Sequence, residues 1–284
     1  PSGGVGTLYL NKNSGELFCC TDATSNENIW TNIGGGSGDV QPFVFPGTVR
    51  GYTTGGYATV DIIDQFSFTS DGNASDTGDL TVGRRGNTGQ SSLTHGYTSC
   101  GGTGSGGGTG SNVIDKFSFS AGGNATDVGD AVTARRELCG QTSENHGYCT
   151  AGGTSNVIEK FTLASDANAT DSGDLPYNTG NCAGHSSTTH GYTTGGDGSD
   201  NYTLISKFAF ASDGNASDIA DLTANSTSCT GNSSETNGYN CNGSTGGGPY
   251  DRIDKFPFAS DSNASDIGDL TASRFSTAPQ SSTT

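Results

Sequence analysis

The chain carries eight cysteines and four histidines, and the spacing of the cysteines is its most chemically suggestive feature. Counted from Gly140 in "CGQTS", Cys139 and Cys149 stand at −1 and +9; counted from Gly231 in "TGNSS", Cys229 and Cys241 stand at −2 and +10. Both pairs of offsets sum to +8. That places the members of each pair opposite one another in one hairpin register, on successive rungs, so Cys139 with Cys149 and Cys229 with Cys241 are candidate disulfides or close thiol pairs. Cys19 and Cys20 are adjacent, point to opposite faces of a strand and do not pair with each other. The chain has no C-x-x-C and no Cys/His cluster of the finger type, which argues against a structural zinc.

His95, His146 and His190 precede a Gly-Tyr dipeptide in three equivalent places, where Arg50 and Asn237 stand in two others. Metal ligands must converge to about 2 Å from one ion. Equivalent positions in separate repeats stand much further apart, so hydrogen bonding within each hairpin is the expected role. The acidic turn "DGNASDTGD" places oxygen ligands at alternate positions but lacks the sixth-place Gly and twelfth-place Glu of a calcium loop. Asn73, Asn124, Asn168, Asn215 and Asn263 each begin Asn-Ala-Ser or Asn-Ala-Thr. These are formally glycosylation sequons, and the structural reading is an Asn that holds a turn. There is no Gly-x-Ser-x-Gly elbow, no phosphate-binding glycine loop and no His-Glu-x-x-His. No catalytic set, metal or cofactor follows from the residues.

Composition narrows the partners. The net charge is −17 with only 12 Lys plus Arg, and no basic run is present. A nucleic acid backbone or an anionic membrane surface would repel such a chain. No apolar run approaches the roughly 20 residues that cross a bilayer as a helix. Leu, Ile, Val and Phe together number 44 of 284 residues, too few for an oily core of the ordinary kind. A chain that opens at Pro1 and contains no Met reads as a processed product or a fragment.

What organises so lean a sequence is repetition. "HGYTSCGG" returns as "HGYCTAGG", "HGYTTGGD" and "NGYNCNGS". The Gly of each Gly-Tyr falls at 51, 96, 147, 191 and 238, with spacings of 45, 51, 44 and 47, the period of a four-stranded propeller blade. Four of the five units have a diglycine (Gly55-Gly56, Gly101-Gly102, Gly152-Gly153, Gly195-Gly196), and each goes on to a loop of variable length. An alternating strand such as "NVIDKFSFS" follows, then a polar turn, a fourth strand and a "TGQSS"-like strand into the next unit. No window has helical periodicity, and the fold class is all-β. Residues 1–38 differ: "GTLYLNKNSGELFCC" is a hairpin turning at Asn13-Ser14-Gly15, followed by the aromatic strand of Trp30 and a glycine-rich linker. The expected domains are therefore 1–38 and 39–284.

The diglycine, the aromatic strand, the turn and the Arg before the next unit resemble the kelch type of β-propeller. One departure stands out: the blade tryptophan is missing, and Phe66, Phe117, Phe161, Phe208 and Phe256 take over the packing. The resemblance covers residues 45–284 and implies four-stranded blades; because the sequence stops at a repeat boundary, closure into a five-bladed ring is the expectation, with a fragment of a larger set of blades as the alternative. The "DKFSF" and "GNATDVGDL" wording, with the N-terminal segment, also resembles structural proteins of marine tailed bacteriophages, especially those of cyanobacteria. That likeness implies a non-enzymatic virion protein on a tail fibre, appendage or capsid. It would be held to other virion proteins through the N-terminal module and would touch a host-surface glycan or protein through its variable loops, with a homo-oligomer as a further possibility. Tyr57, Tyr202 and Tyr250 are the candidate binding-loop residues. A secreted carbohydrate-binding or carbohydrate-active propeller, or a purely architectural filament or lattice protein, are the alternatives.

Overall fold

The computed structural model describes residues 4–11, 16–24, 28–33, 49–104, 108–198, 203–244 and 247–277. The chain divides into two units, Pro1–Phe45 and Pro46–Thr284. In the first, β1 (Leu8–Leu10), β2 (Leu17–Asp22) and β3 (Ile29–Asn32) form an antiparallel sheet in the order β1-β2-β3. Alternation along β2 sends Phe18 and Cys20 to one face, where they bury with Trp30. Edge strand β1 leaves Leu8, Tyr9 and Leu10 exposed. The expected turn at residues 13–15 lies outside the described residues, as does most of the linker.

The second unit is a succession of antiparallel sheets. The first sheet holds three strands, β4 (Arg50–Thr54), β5 (Ile62–Ser67) and β6 (Ser75–Asp79). The second holds four: β7 (Thr88–Ser91), β8 (His95–Thr103), β9 (Thr109–Ser118) and β10 (Thr126–Arg135). The third is β11 (Cys139–Thr142), β12 (His146–Thr150), β13 (Ser155–Thr162) and β14 (Thr170–Gly180). The fourth is β15 (Ala183–Ser186), β16 (His190–Thr194), β18 (Leu204–Ala209) and β19 (Ser217–Asp221), and its loop lends the short β17 (Asp197–Gly198) to the edge of β14. The fifth is β20 (Thr230–Ser233), β21 (Asn237–Ser244), β22 (Pro249–Pro257) and β23 (Ser265–Arg274). The architecture is all-β and propeller-like.

Gly-Tyr recurs because the two residues serve opposite faces of one strand. The Gly faces an aromatic ring of its own sheet: a Cβ on Gly96 would lie 2.3 Å from Cζ of Phe117, and one on Gly147 2.4 Å from Cζ of Phe161. No side chain fits there. The Tyr faces the next sheet. Tyr52 stacks on Phe119 at 5.0 Å, Tyr148 on Phe210 at 4.9 Å and Tyr192 on Phe258 at 4.8 Å. The apolar clusters accordingly lie in the seams between successive sheets rather than inside any one sheet; one, for example, joins Tyr97, Ile114 and Ala131 of the second sheet to Cys149, Phe161 and Ala169 of the third. A chain poor in aliphatics folds by spending them on these thin seams.

Polar groups fix each seam. The Asn of every Asn-Ala-Ser/Thr from the second sheet on reaches back to the preceding sheet. Oδ1 of Asn124, Asn168, Asn215 and Asn263 accepts the N–H of Asp79, Asp130, Asp174 and Asp221 at 3.0–3.1 Å. These Asn side chains thus bridge sheets instead of holding their own turn. The turn is held by the Asp three residues later: Asp127 accepts the N–H of Gly129, and Asp171 that of Gly173. Lys116 pairs with Asp166, Lys160 with Asp213 and Lys207 with Asp261, each across a seam. The first seam has Gln65 and Gly122 in those two places, so both charges are absent together.

Candidate functional site

The variable loops and the sheet-to-sheet crossovers share one end of the sheets, tied by the Arg85–Gly102 and Thr227–Ser244 bridges. The left-handed pair that opens each loop is Gly55-Gly56, Cys100-Gly101, Ala151-Gly152, Gly195-Gly196 and Asn242-Gly243, with φ of +52° to +68° at the first position. The Gly102 and Gly153 of the written diglycines fall one step beyond this pair. The second position is the strict one: a Cβ on Gly101 would meet Asn87 at 2.9 Å, and one on Gly196 would meet Oγ1 of Thr179 at 2.0 Å.

The adjacent arginines divide their work. Arg84 and Arg135 are buried and bridge to Asp115 at 2.7 Å and Glu159 at 3.0 Å. Arg84 also donates to the carbonyl of Thr98, and Arg135 to that of Ala151, so each guanidinium ties a crossover to the middle strands. Burial pushes the Glu159 carboxyl up, and Arg135 holds it down. Arg85 instead turns to the loop end, its guanidinium carbon 4.7 Å from the ring centroid of Tyr57. Tyr57 is 87% exposed. Tyr250 differs: it is half-buried, its hydroxyl bonds Ser226, Arg252 lies over its ring, and burial pushes its pKa up to about 12. Tyr202 lies outside the described residues.

The histidines do not converge. Nδ1 of His95 pairs with Oγ1 of Thr94 at 2.9 Å and Nδ1 of His190 with Oγ1 of Thr189 at 2.8 Å, each within its own hairpin. His185, at the place held by Gln90 and Gln141 in earlier sheets, is buried with Nδ1 against the carbonyl of Asn232 and Nε2 against Oγ1 of Thr194. Burial lowers its pKa to about 4. The unfolded imidazole, near 6.5, binds a proton that the folded one refuses, so this contribution is full above pH 6.5 and is lost as pH falls toward 4, amounting to about 3 kcal/mol. His185→Gln is expected to flatten the stability profile between pH 7 and pH 4; denaturant melts at several pH values check it, and an unchanged profile would refute the assignment.

The cysteines are placed differently from the expected register. In the β11/β12 hairpin Cys139 faces Thr150 and Gly140 faces Cys149, so Cys139 and Cys149 are one rung out and point to opposite faces. Likewise Cys241 faces Thr230, and Cys229 lies just before β20. Cys139 lies against Cys182 instead, with their sulfurs 3.2 Å apart. Cys182 precedes the fourth sheet, a neighbour that spacing within one hairpin could not disclose.

No family model matches the chain, and no curated protein matches it. Among solved structures, that of YjhT aligns with a TM-score of 0.68 at 10% identity, over 83% of this chain and 84% of that one. The chain is similar in fold to YjhT. At that identity the likeness is one of architecture, and it accords with the succession of antiparallel sheets.

Proposed function

We propose that this chain is a non-enzymatic display protein of a phage particle, a kelch-like propeller of five blades whose loop end contacts a glycan on the host surface. The observation that carries the reading is Tyr57 under Arg85. An exposed aromatic face with a cation beside it suits a sugar ring that bears a carboxylate, through stacking and a charge-assisted hydrogen bond. The left-handed glycine pairs and buried arginines hold that loop on a rigid frame, the arrangement in which loops bind. The exposed Leu8, Tyr9 and Leu10 of β1 suit attachment to another virion protein. The phage assignment rests on the resemblance in repeat wording.

Labelling intact particles with an antibody against residues 45–284 tests the placement. Tip labelling with blocked adsorption supports it; no labelling overturns it. On immobilised acidic glycans, Tyr57→Ala is expected to weaken binding about tenfold, the scale of a lost stacking contact, at unchanged thermal stability. Equal binding would remove Tyr57 from the site. Glycan binding by a protein absent from particles would indicate a secreted carbohydrate-binding module.

The propeller reading also carries a closure. Tyr239, Lys255 and Gly268 of the fifth sheet have no seam partner among the described residues, and a Cβ on Gly268 would meet nothing within 4 Å. On the first sheet Phe68 is 42% exposed, and Asp71, Asn73 and Ala74 are exposed. These are the two halves of a seam that every other pair of neighbours has made, and in this reading they meet.

A further inference from the structure

The cysteines supply a site that the display function does not use. Cys139 opens β11 in the third sheet, and Cys182 lies just before β15 in the fourth. Their sulfurs touch at 3.2 Å, across a seam and 43 residues apart in sequence. Around the Cys139 sulfur converge Oγ1 of Thr150 at 3.0 Å, Nε2 of Gln141 at 3.5 Å and Oγ1 of Thr193 at 3.7 Å. Two threonine hydroxyls able to donate and an amide N–H thus lie within reach of one sulfur, and hydrogen bonds of this kind favour the charged form of the group that accepts them. Cys182 donates its S–H to the Cys139 sulfur.

We propose that Cys139 and Cys182 form an oxidation-sensitive disulfide that staples the third sheet to the fourth, with a peroxide as the oxidant. The Cys139 thiolate attacks one peroxide oxygen and the O–O bond breaks; the departing hydroxide takes up a proton to become water, and Cys139 is left as the sulfenic acid. The Cys182 sulfur then attacks the Cys139 sulfur, the S–O bond breaks, and the Cys182 proton leaves with the hydroxide as a second water. Two thiols and one hydrogen peroxide thus give one disulfide and two waters. The sulfurs need to close by about 1.2 Å to reach a bond of about 2.05 Å.

Polarity and access distinguish the attacking sulfur and this pair. Burial pushes the Cys139 thiol up, but hydrogen bonds from Cys182, Thr150, Thr193 and Gln141 outweigh it and bring its pKa to about 7, whereas Cys182 is pushed well above the usual thiol range. Cys139 and Cys182 retain 5% and 8% exposure, while Cys100 and Cys149, which share the apolar cluster between the second and third sheets, have none. The first pair is the less completely enclosed of the two and is expected to react first. Two sulfurs without a third converging ligand do not make a metal centre; among the described residues no three His, Cys, Asp or Glu groups are placed to hold an ion.

The test is peptide mapping of the native chain after mild hydrogen peroxide, quenched by thiol alkylation. Trypsin cuts after Arg136, Lys160 and Lys207, which puts Cys139 in peptide 137–160 and Cys182 in peptide 161–207. The expected product joins these two peptides through Cys139, costs two of the eight free thiols, reverses with dithiothreitol and raises the melting temperature by about 5–15 °C, as closing a long loop does. In Cys182→Ser the link disappears and a dimedone-reactive sulfenic acid accumulates on Cys139. Eight unreacted thiols, a bond from Cys149 to Cys100 or Cys139, or over-oxidation of Cys139 without a link would each overturn the proposal.

Discussion

Gly147→Ala is expected to destabilise the chain by about 3 kcal/mol or more, the upper end of what one added methyl costs in a packed interior. The new Cβ would sit 2.4 Å from Cζ and 2.8 Å from Cε1 of Phe161. That ring is 3% exposed and cannot swing out, because Tyr97 of the preceding sheet lies against its other side at 5.4 Å. The strain therefore passes either into the β12/β13 ladder, which pairs Gly147 with Phe161, or into the seam. A fall in melting temperature of about 10 °C is expected by calorimetry. Gly72→Ala is the control, since nothing lies within 4 Å of it and Ala167 stands at the equivalent place in the third sheet. Phe161→Leu should cost stability alone yet soften the effect of Gly147→Ala, so the double variant should be better than the sum of the two. A Gly147→Ala protein that melts within 2 °C of the parent would mean that the Gly-Phe contact is not what fixes the repeat.

Much of this frame is readable from the sequence. Period, strand alternation and the acidic turns follow from side-chain spacing, because each reflects a local rule of β backbone. What escapes such reading depends on contacts between repeats. Asn168 is written like a turn residue, but its amide oxygen serves Asp130, 38 residues away in another sheet. Cys139 and Cys149 have a plausible hairpin spacing, but the turn closed by the Ser143 N–H on the His146 carbonyl sets the parity of the ladder one residue away from the one that would align them. The same parity gives Cys139 its real neighbour across the seam. The written diglycine misleads in a similar way: the backbone requires a left-handed first position that Cys100, Ala151 and Asn242 also occupy, and it is the second position that is glycine in all five repeats. Of the loop aromatics, Tyr57 and Tyr250 are equivalent in composition, yet Ser226 and Arg252 draw Tyr250 inward while Tyr57 stays open beside Arg85.

Carbodiimide treatment of the native chain is expected to join Lys255 to Asp71, the fifth sheet to the first, as efficiently as it joins the three seam pairs already formed. The argument is that charges in the seams come and go together. Lys116, Lys160 and Lys207 each face an Asp, and where Gln65 replaces the Lys, Gly122 replaces the Asp. Among the described residues Asp71 is thus an acceptor without a donor, and Lys255 a donor without an acceptor. A second set follows the same rule. Arg84 precedes the sheet that carries Asp115, and Arg135 the sheet that carries Glu159, while Thr179 stands in the Arg place before the sheet that has Ser206 in the carboxylate place; the fourth seam departs from the rule, with Ser226 in the Arg place and Asp254 met instead by Arg252 of its own strand. Arg274 precedes no further described sheet, and Asp64 of the first sheet has no preceding Arg. Each exposed pair is worth little by itself, about 0–1 kcal/mol. The aromatic half of the seam, Tyr239 against Phe66 and Phe68, would supply most of the energy. Mixing isotopically light and heavy chains before cross-linking separates the two ways these faces can meet. Links between peptides of one isotope alone mean that the ring closes within a chain. Mixed links mean that the fifth sheet docks on the first sheet of another copy, which would make the protein an assembly, and no link beside efficient linking of Lys116 to Asp166 would mean that the faces do not meet at all.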